Sequence, residues 1–137
     1  MVKHLLLLFF LALFFPSSVF AEVVINEVLP DPVGGSPEDG EFIELYSDTT
    51  IDISGWILDD QEGGTSPYTI PDGTVIGGVN KFMVFYKEIT NIGLNNGEDK
   101  VRLFRLGESE PSDSYQYSIT SGDEGVSFGR VPDGTEG

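Results

Sequence analysis

Beyond Val23 the apolar residues fall in short runs rich in Val, Ile, Phe, Tyr and Thr, each closed by residues that favour turns. None repeats with the period of a capped helix. The pattern predicts strands at Val23 to Leu29, Glu41 to Tyr46, Ile53 to Leu58, Tyr68 to Ile70, Thr74 to Ile76, Phe82 to Tyr86, Lys100 to Arg105, Ser114 to Ser118 and Val126 to Val131. Between them stand Pro30-Asp31-Pro32 with Gly34-Gly35, Gly63-Gly64, Pro71-Asp72-Gly73, Gly77-Gly78, Asn95-Asn96-Gly97 and Pro132-Asp133-Gly134, where Gly and Asn supply positive φ at low cost. Eight or nine short strands on one open sheet would leave an apolar face wet, so the expected architecture is an all-β, two-sheet sandwich.

Alternation names core positions. Ile43 and Leu45 share one face of their strand, with Glu44 opposite them beside Phe42 and Tyr46. Val101 and Leu103 likewise share a face, with Lys100, Arg102 and Phe104 on the other. Trp56, the only tryptophan, falls mid-strand and is assigned to the space between the sheets; an exposed platform for sugars is the alternative.

Ahead of the strands the pattern changes. Lys3 is followed by an unbroken apolar run from Leu5 to Phe15, a breaker at Pro16, and Ser17-Ser18-Val19-Phe20-Ala21 with small residues at the cleavage positions. This is the layout of a signal peptide. The run is 11 residues long, well short of the roughly 20 that span a bilayer as a helix. Residues 1–21 are therefore read as the signal peptide and residues 22–137 as one domain, long enough for one core and too short for two. The mature protein is expected in the extracellular medium, periplasm or cell envelope, without stable membrane insertion.

Charge and chemistry narrow the function. The 137 residues carry 7 Lys and Arg against 23 Asp and Glu, a formal charge of −16, and loss of Lys3 with the leader leaves six basic residues and −17. Such a field disfavours nucleic acid and anionic lipid, whose affinity rests on Lys and Arg displacing counterions. There is no cysteine, hence no disulfide framework and no lipidation cysteine, and the one histidine, His4, lies in the leader. A mature chain without His or Cys cannot build Ser-His-Asp, Cys-His or the usual zinc sites. A carboxylate pair could still hydrolyse a glycosidic bond, with Glu27 and Glu44 the candidates because both lie on strands, but a domain this small offers little room for a substrate cleft.

Calcium is the site chemistry that the loops permit, since hard cations take several oxygen ligands. Asp31, Glu38, Asp39 and Glu41 flank the first Gly-rich loop, and Asp59, Asp60 and Glu62 follow the Trp56 strand. Neither loop has the spacing of an EF-hand, so the rival reading is a solvated acidic loop that keeps edge strands apart.

Val24-Ile25-Asn26-Glu27-Val28, Glu41-Phe42-Ile43-Glu44-Leu45-Tyr46, Ile53-Ser54-Gly55-Trp56-Ile57-Leu58-Asp59-Asp60 leading to Tyr68-Thr69-Ile70-Pro71-Asp72-Gly73-Thr74, and Gly93-Leu94-Asn95-Asn96-Gly97-Glu98-Asp99-Lys100-Val101-Arg102-Leu103 follow one another in a telling order. With the closing Ser127-Phe128-Gly129-Arg130-Val131-Pro132-Asp133-Gly134, they make the chain resemble the lamin-tail domain family in its bacterial, exported branch. The resemblance implies an immunoglobulin-like β-sandwich without a shared catalytic set. It implies a non-catalytic module for binding, adhesion or spacing, whose partner is a protein or a glycan surface ligand; with no heptad or long amphipathic helix to drive assembly, the chain is expected to be a monomer. Members of the family usually continue past the turn at Gly134. The second reading is therefore an N-terminal targeting part of a larger exported hydrolase, with its catalytic domain beyond Gly137.

Overall fold

The structure, a computed structural model, describes residues 23–34, 40–61 and 63–135. The expected signal peptide lies outside these residues, as do Glu38, Asp39 and Glu62. Among the described residues there are ten strands: β1 (Val24–Leu29), β2 (Phe42–Tyr46), β3 (Ile51–Asp52), β4 (Ile57–Asp59), β5 (Tyr68–Thr69), β6 (Val75–Ile76), β7 (Phe82–Tyr86), β8 (Glu98–Phe104), β9 (Asp113–Ser118) and β10 (Phe128–Gly129). A single helical turn, α1 (Lys87–Thr90), follows β7. No helix among them is long and apolar enough to cross a membrane.

Two four-stranded antiparallel sheets, ordered β10-β1-β2-β7 and β5-β4-β8-β9, form an immunoglobulin-like sandwich, and β3 with β6 makes a small third sheet. The period-two alternation of β2 and β8 turns one side of each inward. Ile25, Val28, Ile43, Leu45 and Phe85 from the first sheet meet Leu58, Val101, Leu103 and Tyr117 from the second in one core. Tyr68 packs edge-on to Phe85 and Tyr117 stacks on Phe128 across the gap, with ring centroids 6.1 and 5.8 Å apart. Fully burying one such aliphatic side chain contributes roughly 1.5 to 3 kcal/mol.

Two sequence expectations are corrected. The run from Ile53 to Leu58 is not one strand, because Ser54 and Gly55 turn between β3 and β4, with Gly55 at φ +72°. A side chain there would be strained in φ and would press on Leu106. The turn expected at Asn95-Asn96-Gly97 does not join neighbouring strands of one sheet. It ends a crossover in which α1 and the buried Ile92 and Leu94 carry the chain from β7 in the first sheet to β8 in the second.

Candidate functional site

The outer face of the first sheet is where the sandwich leaves its largest side chains in solvent. Register places Val24, Tyr46 and Phe82 in one cross-strand row, Glu27, Glu44 and Val84 in the next, and Leu29, Phe42 and Tyr86 in the third. The bulge between Ile25 and Glu27 keeps β1 in step with these rows by letting Asn26 slip out of the ladder. Phe82, Val84 and Tyr86 remain 44%, 37% and 43% exposed. The rings pair across the strands, Tyr46 with Phe82 at 5.0 Å and Phe42 with Tyr86 at 6.1 Å between centroids. Each such pair contributes beyond its buried area and stiffens the surface. Gly134 also fixes this face. At φ +74° it lies so close to the Tyr46 ring that an added Cβ would stand 2.5 Å from Cε1.

In the middle of this apolar grid sit two carboxylates. Glu27 and Glu44 are direct register partners on neighbouring strands. Asn26 Nδ2 donates to Glu44 Oε1 at 3.0 Å and to Asp133 Oδ1 at 3.1 Å. Partial burial pushes the Glu44 carboxyl above its ordinary pKa; the Asn26 hydrogen bond opposes this, and the negative charges of Glu27 and Asp133 add to it. The carboxylates considered above for glycoside hydrolysis are thus brought side by side, on an open sheet face. An open hollow of about 360 Å³ beside Glu27, lined also by Asn26, Arg130 and Asp133, does not include Glu44 in its lining.

The other acids named from the sequence have different surroundings. Glu41 is buried at 2% exposure, its Oε1 accepting from Lys87 Nζ at 2.9 Å and its Oε2 from the Leu94 N–H at 2.9 Å. Asp31 stays at the surface, where Oδ1 accepts from Asn96 Nδ2 at 3.0 Å. Asp60 accepts from the N–H and hydroxyl of Thr65, and Asp59 from Arg102 Nη2 at 2.6 Å. Burial outweighs the pull of Arg102 and holds the Asp59 carboxyl above the usual range. Among the described residues no group of three His, Cys, Asp or Glu side chains stands close enough to hold a metal ion.

Sequence reasoning missed two groups. Asp99, on the core side of β8, accepts from the N–H and Nδ2 of Asn95 and closes the end of the crossover. Arg130 is 7% exposed and donates to Ile25 O at 2.7 Å, to Thr135 O at 2.7 Å and to Asp113 Oδ1 at 2.9 Å, while Asp113 Oδ2 accepts the Ile25 N–H. The Arg130–Asp113 pair therefore pins the β1 bulge to β9 and shuts one side of the sandwich. Ile43, Leu45, Trp56, Val101 and Leu103 all lie in the core cluster; Trp56 is 8% exposed, with the Arg105 guanidinium 5.7 Å from its ring centroid.

A family model described as Lamin Tail Domain matches residues 16–118. The chain belongs to the lamin tail domain family. The match runs to the last residue of β9, so the lamin tail domain accounts for both sheets except β10, and the Arg130 clip stands beyond the matched span. The exposed aromatic face lies wholly inside it. No curated protein and no solved structure matched the chain.

Proposed function

We propose that this lamin tail domain is an exported, non-catalytic binding module of envelope or extracellular proteins, and that it engages its ligand through the outer face of the first sheet. The observation that carries the reading is the exposure of Phe82, Val84 and Tyr86, which follow one another along β7 on one side of the grid. Contiguous apolar surface of this kind, rimmed by polar residues, marks interaction sites. The leader pattern of residues 1–21 supports export. A mature chain without His or Cys supports binding over catalysis.

Two measurements test it. Expression of the full chain in a bacterial host should place it outside the cytoplasm with Glu22 at its new N-terminus; retention in the cytoplasm at full length would refute export. The secreted protein is then exposed to a panel of immobilised polysaccharides and unstructured peptides. Binding should be lost in a Phe82→Ser, Tyr86→Ser double variant and kept in Val79→Ser, a change at a fully exposed apolar residue in the turn between β6 and β7, outside the three rows. Binding that survives the double variant would refute the face.

A further inference from the structure

β7 ends the first sheet, and its free edge is unusual in composition. Edge strands normally carry charge or proline to discourage pairing, yet Phe82-Met83-Val84-Phe85-Tyr86 carries neither. The lysines on either side are engaged with the protein's own acids: Lys81, whose ammonium lies 6.0 Å from the Tyr46 ring centroid, pairs with Asp48 at 2.6 Å, and Lys87 with Glu41 at 2.9 Å. The ladder to β2 is closed by the Ser47 N–H on Lys81 O and the Lys87 N–H on Glu41 O. That phase makes 43 with 85 and 45 with 83 the hydrogen-bonded pairs, so the backbone groups of Phe82, Val84 and Tyr86 point outward. Thr90 Oγ1 donates to Tyr86 O. Among the described residues nothing bonds the outward N–H and C=O of Phe82 and Val84.

We propose that this edge takes up an extended polypeptide segment carrying Lys or Arg, which adds as a strand beside β7 and sends its cationic side chain across Val84, between the Phe82 and Tyr86 rings, to Glu44. The proposal rests on the reading of the outer face as the binding surface and names its ligand. Strands lie about 4.8 Å apart, so Glu44, one strand in from β7, is roughly 10 Å from the backbone of an added strand. A Lys or Arg can cross most of that distance with its stem on Val84 and its head at the carboxylate. A cation that comes to lie over a face of either flanking ring gains a further attraction.

Charge complementarity selects the partner. Glu27 and Glu44 oppose each other with no basic side chain bonded to either among the described residues, on a chain of net charge −16. A cation between or beside them relieves that repulsion, whereas an acidic or neutral segment does not. A second copy of this chain is a poor occupant. It would bring like charge to like charge, and its strand-borne Lys100 and Arg102 are held in β8, between β4 and β9. The outward backbone groups favour a polypeptide over a free amine or a sugar, because they repeat at the two-residue spacing of a strand.

The test measures fluorescence anisotropy of labelled nine-residue peptides with the purified secreted protein. The parent peptide alternates Thr and Val around a central Lys. Its relatives replace that Lys with norleucine or with Glu, or keep it and N-methylate the backbone amides. The expected result is binding of the Lys peptide, at least tenfold weaker binding of the norleucine and Glu peptides, loss of binding on N-methylation, and weakening with added salt. Glu44→Gln should bring the Lys and norleucine peptides to equal affinity. Equal binding of Lys and norleucine peptides to the wild type would overturn the cation while leaving the aromatic face as a binding surface. Undiminished binding of the N-methylated peptide would overturn strand addition. Binding of a polysaccharide but of no peptide would overturn the ligand class and spare the face. A dimer in sedimentation that Val84→Lys dissociates would assign the edge to self-association and overturn the proposal.

Discussion

Glu41 and Glu44 are three residues apart and lead opposite lives. Glu41 has the parity of Ile43 and Leu45, so the alternation that buries those two also buries it, and its carboxylate is stable there because Lys87 and the Leu94 N–H meet it. Glu41→Ala should cost roughly 3 kcal/mol in urea unfolding, since it leaves a backbone donor and an ammonium without their acceptor; a loss below about 0.5 kcal/mol would refute the anchoring role. Glu44 has the opposite parity and faces outward, where burial and its acidic neighbours raise its pKa. A carboxyl raised on folding binds its proton more tightly in the native state. Its contribution is therefore fully present below the ordinary value of 4.5 and is lost as pH rises through the folded value. Glu44→Gln should thus gain stability relative to wild type as pH rises from about 4.5 to neutrality. A difference that stays flat over that range would refute the shift.

At the scale of elements, Trp56 joins the turn after β3 to the start of β4, accepting the Ile70 N–H with its carbonyl while its ring enters the core. Trp56→Ala should destabilise by roughly 3 to 5 kcal/mol, measured by urea unfolding; glycan binding that falls while stability is unchanged would return the ring to the role of an exposed platform. The strands most legible in sequence are β2 and β8, whose alternation fixes the register because a one-residue slip would expose the core set, and β7, an unbroken apolar run. β3, β4 and β10 were harder to read, since each has only two or three residues and is held by pairing with strands elsewhere in the chain. The Arg130 clip had no local signal at all. Its partners Ile25 and Asp113 are 105 and 17 residues away, and only the tertiary fold brings them together. The outer face was half legible: alternation put Phe42, Glu44 and Tyr46 together, but sheet order alone shows that Glu27 and the outward residues of β7 complete it. Of the first-loop acids, Glu41 could not be placed from composition, which does not report that its carboxylate turns inward to Lys87 and the Leu94 N–H.

The molecule as a whole carries its acidity in two populations, and the division decides how it responds to cations. Glu41, Asp59, Asp60 and Asp99 are buried and occupied by the protein's own donors. The first loop was considered as a calcium site with Asp31, Glu38, Asp39 and Glu41 as ligands. Withdrawal of Glu41 into its ion pair removes the one member that sits on the rigid start of a strand. Self-repulsion at −16 still destabilises the compact state, and any salt relieves it by screening. Thermal unfolding should therefore shift upward by the same amount in calcium, magnesium and sodium at matched ionic strength. A specific site would behave differently, because free calcium at 100 times its dissociation constant adds about 2.7 kcal/mol to the folded state alone. The decisive comparison is wild type against Asp31→Asn combined with Asp39→Asn. A calcium-specific rise that disappears in the double variant would establish the loop as a calcium site and refute screening as the whole effect, while equal shifts in all three salts leave the cations in the ionic atmosphere and the loop acids as solvated charge.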